Sequence, residues 1–320
     1  MKMENKKIPL LVIVGPTASG KTGLAVELAM RLHGEVVSAD SMQVYKQMQI
    51  GTAKPDAAEM RGVPHHLIDC IDPDNAAFSV ADYAKMAREA IRRIRAAGHL
   101  PILVGGTGLY VQAVIDNIQY DPIQNNAGVR ERLADEAERE GVQAMWERLQ
   151  KVDPQLAGKL HPNNLGRVLR ALEVYELTGI PMSRHQEQSR REPSDYMLCM
   201  LGITFADREH LYARIDRRVD KMLEDGLLDE ARAVSASYGG TARQAIGYKE
   251  LQPFLNGEES LENCIAHLKQ ATRNYAKRQL TWFRRDPRIH WLEADRYSDL
   301  QALYSDAQAI AEKSGILQTV

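Results

Sequence analysis

The chain has 320 residues, 44% of them hydrophobic, 26% charged and 6% aromatic, with a formal net charge of −2. That length can bury one large core or two modest ones. The near-neutral balance excludes a whole-chain basic footprint for nucleic acid, so any such surface must be a local patch offset by acids elsewhere. Residues 8–14 form a short run of Ile, Val and Leu that ends in Gly15-Pro16, the pattern of a buried strand entering a turn. Across residues 21–32, Leu24, Ala25, Leu28, Ala29 and Leu32 follow helical spacing, and Gly34 is the expected stop. Residues 35–39 read as a second strand ending at Asp40, residues 81–97 as a helix closed by Gly98, and residues 100–104 as a third strand leading into Gly105-Gly106-Thr107-Gly108. The alternation predicts an α/β fold: a parallel sheet flanked by helices, P-loop NTPase-like.

Near Asn117 the character changes. Residues 117–197 carry helical stretches at 129–139 and 165–177, and turn signals at Asp153-Pro154, His161-Pro162 and Gly179-Ile180-Pro181. This predicts a mostly helical insertion domain. Residues 196–203 read as a strand returning to the sheet, followed by long helices at 208–237 and 260–285, a strand at 288–292 and a helix from Ser298. The expected division is 1–116 for the first part of the core, 117–197 for the insertion, and 198–320 for completion of the core with basic helices. Cys70, Cys199 and Cys264 lie outside any Cys/His pair at metal-ligand spacing and read as half-buried thiols in a reducing compartment. No apolar run is long enough to span a bilayer, and residues 1–7 are polar, so the expectation is a cytoplasmic protein without membrane contact.

Gly15-Pro16-Thr17-Ala18-Ser19-Gly20-Lys21-Thr22 fits the P-loop pattern in full, between a predicted strand and a predicted helix. Its glycines let backbone N–H groups turn inward, and the helix N-terminus adds positive potential. Lys21 brings a mobile charge, and the Thr22 hydroxyl is a candidate Mg²⁺ ligand. The motif marks a diphosphate or triphosphate site, and ATP binding is its default reading. Asp40 opens Asp40-Ser41-Met42-Gln43-Val44-Tyr45 at a strand's carboxyl end, where ligands bind in such sheets. It faces a ligand there, holds Mg²⁺ through water, or serves as a turn carboxylate. His65 and His66 point in different directions as neighbours and suit a loop packed under the site better than a metal centre. Thr107, between glycines, is positioned for a phosphate or a base, or marks a tight turn.

These segments, in this order and spacing, resemble the bacterial tRNA dimethylallyltransferase family. The likeness extends over Gly51-Thr52-Ala53-Lys54-Pro55, residues 63–69, 105–110 and 167–174, Ala245-Ile246-Gly247-Tyr248-Lys249-Glu250, and residues 277–284, which is almost the whole chain. The resemblance implies transfer of a dimethylallyl group from dimethylallyl diphosphate to N6 of the adenosine 3′-adjacent to the anticodon, with Mg²⁺ and loss of pyrophosphate. It implies a P-loop that holds a leaving group, Asp40 as the base, Thr22 on Mg²⁺ and Arg214 on the diphosphate. It assigns tRNA contacts to Asp40, Ser41, Met42, Gln43, Thr107, Arg130, Gly166, Arg167, Val168, Leu169, Arg170, Lys277, Arg278, Gln279, Trp282 and Arg284. Eukaryotic relatives carry a C-terminal zinc finger, whose Cys/His set is missing here. A stripe of Lys269, Arg273, Lys277 and Arg284 on the 260–285 helix is expected to track RNA phosphates, with Arg167 and Arg170 as a second patch. A monomer engaging the anticodon stem-loop, its target base flipped out, completes the expectation. A P-loop small-molecule kinase and a prenyltransferase acting on free adenine nucleotides are the alternatives.

Overall fold

The computed structural model describes residues 7–73, 78–119, 127–189 and 192–319. Six strands, β1 (Ile8–Val14), β2 (Gly34–Ser38), β3 (His65–His66), β4 (Leu100–Gly105), β5 (Tyr196–Thr204) and β6 (Ile289–Glu293), form one sheet in the order β3-β2-β4-β1-β5-β6. Every pairing is parallel. Helices cover both faces, which is why β1 reads as a continuous apolar run rather than an alternating one. Leu10, Val12 and Val14 enter one core and Leu11 and Ile13 the other, all without exposure. The central strand β1 therefore delivers the P-loop at the carboxyl edge, between β4 and β5.

Several boundaries differ from the sequence expectation for physical reasons. The Lys21–Leu32 helix ends on His33 in the left-handed region. Gly34 is not its stop but the first residue of β2, where a Cβ would come within 2.8 Å of Ile102 Cδ1 and of the Leu100 carbonyl oxygen. The expected 208–237 helix is two helices, Arg208–Glu224 and Leu227–Ser237, broken at left-handed Gly226 (φ 101°). His65 and His66 lie not in a loop but in β3, an edge strand against Val36 and Val37 of β2. Their side chains do diverge: His65 Nδ1 meets the Val63 carbonyl at 2.8 Å, and His66 Nε2 meets Glu35 at 2.6 Å. The Tyr248–Leu255 helix was not anticipated from sequence. The Val80–Ala96 helix starts on a reciprocal cap between Ser79 and Asp82, and the Leu261–Phe283 helix on Ser260.

The chain divides into two compact units, one of residues 1–115 and 195–320, the other Asp116–Ser194. Tyr196 and Met197 belong to the sheet because they pair with Ile8 and Pro9, so the boundary falls before them. Among its described residues the second unit contains no strand. Its helices Ala127–Glu140, Val142–Val152 and Leu165–Thr178 enclose Leu133, Met145, Leu149, Val168 and Leu172. Arg132 and Arg148 each pair with both Glu136 and Glu176, tying those three helices together. Among the described residues, no helix is long and apolar enough to cross a membrane.

Candidate active site

The P-loop wraps the start of the Lys21–Leu32 helix. Gly20 takes a left-handed conformation (φ 94°), which turns the chain into the helix without steric cost. Lys21 Nζ donates to the Pro16 carbonyl at 3.2 Å, folding the lysine over its own loop. Burial first, and the nearby Arg218 guanidinium second, pull the Lys21 pKa from 10.5 to about 8, against the opposing charge of Asp40. Ser19 Oγ is buried inside the loop and has no hydrogen-bond partner among the described residues. Thr17, Lys21 and Thr22 line a cavity of about 300 Å³.

Asp40 faces them across that cavity, just beyond the carboxyl end of β2. Its Oδ1 accepts from the N–H groups of Met42 at 2.9 Å and Gln43 at 3.3 Å, so it is a turn carboxylate and a cavity carboxylate at once. The Gln43 amide is held too: Nε2 donates to the carbonyls of Thr52 and Ala53, and Oε1 accepts from Ser38 Oγ. Thr107 braces the turn by accepting the Ser41 N–H at 3.0 Å. The remaining wall is mixed: Val36, Val104, Val219, Met222 and Leu268 make an apolar patch, beside polar His65, Gln244 and Thr272. A P-loop at one side, a carboxylate at another and an apolar patch beside them suit a small diphosphate ester with a hydrocarbon arm.

Asp40 is the one carboxylate among the described lining residues, and no cluster of three or more His, Cys, Asp or Glu able to hold a metal occurs among the described residues. A cation here would draw few ligands from the protein. That fits Mg²⁺, which keeps waters and substrate oxygens, with the Thr22 hydroxyl the fitting protein donor.

Arg218 and Arg278 both line the cavity. Arg214, expected on the diphosphate, is not among the cavity's lining residues and braces the P-loop: its Nε donates to the Ala18 carbonyl at 2.8 Å and its guanidinium lies over Phe205. Arg218 lines the cavity, and burial lowers its pKa while Asp40 pulls it back up. The sequence carried a signal for this, because Arg218 sits at i+3 from buried Ile215 and i−4 from Met222, inside the apolar stripe.

The Leu261–Phe283 helix also departs from expectation. Lys269 pairs with Asp220 and Arg273 with Asp216, both at 2.6 Å, so these two cations stitch the helix to Arg208–Glu224 rather than standing open to phosphates. Gln279, expected at the RNA surface, is buried: it accepts the Thr17 N–H and donates to the Gly106 carbonyl. Trp282 is half-buried against Gly108, where a Cβ would overlap its ring at 2.2 Å. Lys277, Arg278 and Arg284 are exposed, with Lys277 over the Tyr212 ring and Arg278 over Tyr275. In the second unit Arg130, Gly166 and Arg167 are exposed, whereas Val168 and Leu169 point into that unit's core and cannot offer side chains to RNA. Arg170 pairs with buried Glu173 at 2.8 Å.

Fold and site together make this an α/β protein of P-loop-like fold, with a glycine-rich loop and a carboxylate lining one cavity. The chain belongs to the IPP transferase family, whose profile matches residues 43–286, and it is a transferase. It is 53% identical over 288 residues to tRNA dimethylallyltransferase 1 of Pelobacter propionicus, covering 89% of this chain and 92% of that one. It is 46% identical over 300 residues to tRNA dimethylallyltransferase of Caldanaerobacter subterraneus subsp. tengcongensis, covering 92% and 95%. The solved tRNA isopentenylpyrophosphate transferase of Bacillus halodurans superposes with a TM-score of 0.71 at 45% identity, covering 98% of this chain and 100% of that one. A eukaryotic dimethylallyltransferase acting on tRNA superposes with a TM-score of 0.79 at 31% identity, covering 97% and 80%.

Proposed function

We propose that this protein transfers the dimethylallyl group of dimethylallyl diphosphate to N6 of the adenosine 3′-adjacent to the tRNA anticodon, releasing pyrophosphate. Support comes from its relatives, which are named tRNA dimethylallyltransferases, and from a structural neighbour described as a dimethylallyltransferase acting on tRNA. The observation that carries the reading is a cavity that brings Lys21 and Arg218 to the same space as Asp40.

The chemistry follows from the charges. As the allylic C–O bond breaks, negative charge gathers on the departing pyrophosphate, where Lys21, Arg218 and the loop N–H groups oppose it. The allylic carbon becomes electron-poor and the adenine N6 lone pair forms the new C–N bond. That amine is a weak nucleophile because its lone pair is delocalised into the ring, so its proton must leave. Asp40 is the group to take it, with Oδ1 already fixed by two N–H groups and Oδ2 left for the proton. Thr22 would hold Mg²⁺ with diphosphate oxygens, an ion that adds positive charge against the leaving group. The apolar patch takes the dimethylallyl arm.

Exposed Lys277, Arg278 and Arg284 favour tRNA over a free nucleotide as acceptor, through phosphate contacts along the anticodon stem-loop. We read the enzyme as a cytoplasmic monomer. Incubation with labelled dimethylallyl diphosphate and unmodified tRNA, followed by nucleoside analysis, tests the proposal. Label in N6-dimethylallyladenosine is the expected result. Phosphoryl transfer from ATP, or prenylation of free AMP in preference to tRNA, would overturn it.

A further inference from the structure

Glu230 stands on the Leu227–Ser237 helix, outside the cavity lining, yet its carboxylate accepts four hydrogen bonds. Oε2 takes the N–H groups of Gln49 and Ile50, both at 2.9 Å. Oε1 takes the Gly51 N–H and the Tyr248 hydroxyl, both at 2.8 Å. Three successive backbone N–H groups form a nest for an anion, and here the chain fills it with its own carboxylate. Tyr248 is fully buried, and its ring lies 2.7 Å from where a Cβ on Gly51 would sit.

The anchored loop runs directly into the site. Gly51, Thr52 and Ala53 line the cavity, and Ala53 is held at positive φ (46°), a conformation a non-glycine residue keeps only when its surroundings impose it. The Thr52 and Ala53 carbonyls accept from Gln43 Nε2 at 3.2 and 3.1 Å. The Gln43 N–H in turn donates to Asp40 Oδ1. An unbroken run of hydrogen bonds and short backbone therefore joins Glu230 to the carboxylate that takes the proton.

We propose that Glu230 is a positioning residue for the transfer: by holding residues 49–53 it orients Gln43 and, through Gln43, the Asp40 carboxylate. The inference rests on the reading of Asp40 as the base. Glu230→Gln is the informative variant, because its NH₂ group cannot accept from the N–H groups of the nest. Full-length wild type, Glu230→Gln and Tyr248→Phe are compared with dimethylallyl diphosphate and unmodified tRNA, together with amide exchange at residues 49–51. A displacement near 1 Å costs on the order of a hundredfold in rate. Folded Glu230→Gln should therefore lose about ten- to a hundredfold in kcat, with both KM values within about twofold and faster exchange at residues 49–51. Tyr248→Phe should lose less, in the same direction. Wild-type kcat in a folded Glu230→Gln, or a loss carried wholly by KM, overturns the proposal. If Glu230→Gln fails to fold, Tyr248→Phe decides: an unchanged kcat overturns it. Wild type that transfers nothing to tRNA would overturn the proposed function and this inference together, and the wild-type arm tells that outcome from the others.

Discussion

Gln279 accepts the N–H of Thr17 at 2.9 Å, across 262 positions of sequence. The other end of the same amide donates to the Gly106 carbonyl at 3.0 Å, in a buried setting that leaves no space for a Cβ at Gly106. One side chain on a long helix thus ties the glycine-rich loop at Thr17 to the loop that carries Thr107. Gln279→Leu leaves the buried Gly106 carbonyl unpaired, at a cost of about 1–3 kcal/mol, and releases the half-buried Thr17 N–H. The expected outcome is a lower thermal midpoint and a higher KM for dimethylallyl diphosphate. Unchanged values for both would show that the loop holds itself.

Asp40→Asn should separate binding from chemistry. The carboxamide oxygen can still accept from Met42 and Gln43, so the turn is expected to survive. It can no longer take the N6 proton, and turnover should fall by roughly 10²–10⁴. Single-turnover rates beside tRNA and diphosphate affinities check this. Near-normal turnover would remove Asp40 from the role of base.

If Lys21 grips the diphosphate as proposed, binding should be sensitive to pH. Its folded-state pKa of about 8 lies below its ordinary 10.5, with burial the leading cause and Arg218 the second. Between those two values the unfolded chain binds more protons, so this group's contribution to stability rises with pH from about 8 to 10.5. Binding works the other way. The charged ammonium is the form that grips the diphosphate, so affinity should fall as pH rises through about 8. Arg218→Gln removes a like charge and should move that midpoint upward while weakening binding. Calorimetric titration with inorganic pyrophosphate across pH 7–10, a range of about three units around the lysine, measures both, and a midpoint unmoved by the substitution would contradict the coupling.

The ion pairs of the Leu261–Phe283 helix sort its cations by function. Lys277→Ala should make the dependence of log Kd for tRNA on log salt shallower by about one unit, as expected when one phosphate contact is lost. Lys269→Ala should leave that slope nearly unchanged, because Lys269 is committed to Asp220, and should act on stability instead. Equal slope changes in the two variants would mean that the pair with Asp220 opens when tRNA binds.

Much of this protein is local and was therefore legible in the chain itself. A buried apolar strand, a glycine-rich turn and an amphipathic helix in succession determine β1, the P-loop and the Lys21–Leu32 helix, because each rests on neighbours within a few residues. The position of Asp40 at a strand end follows from the same logic. The stripes of the two long C-terminal helices are also readable in the chain. Gln279 lies at i+4 from Tyr275 on the inward face, and Arg218 lies between Ile215 and Met222 on another. Polar residues on an apolar stripe mark side chains that must find a buried partner.

What the partner is, the chain alone did not say. Periodicity fixes which way a side chain points but not what stands opposite. That Lys269 and Arg273 meet Asp220 and Asp216 instead of solvent is a property of two helices packing. That Glu230 fills a nest at residues 49–51, and that Arg218 rather than Arg214 reaches the cavity, likewise depend on distances set by the fold. The two-residue strand β3 is too short to carry any periodic signal and exists because β2 offers it an edge. Local pattern determined the glycine-rich loop; contacts across hundreds of residues, made only when the sheet and helices close, decided what stands around it.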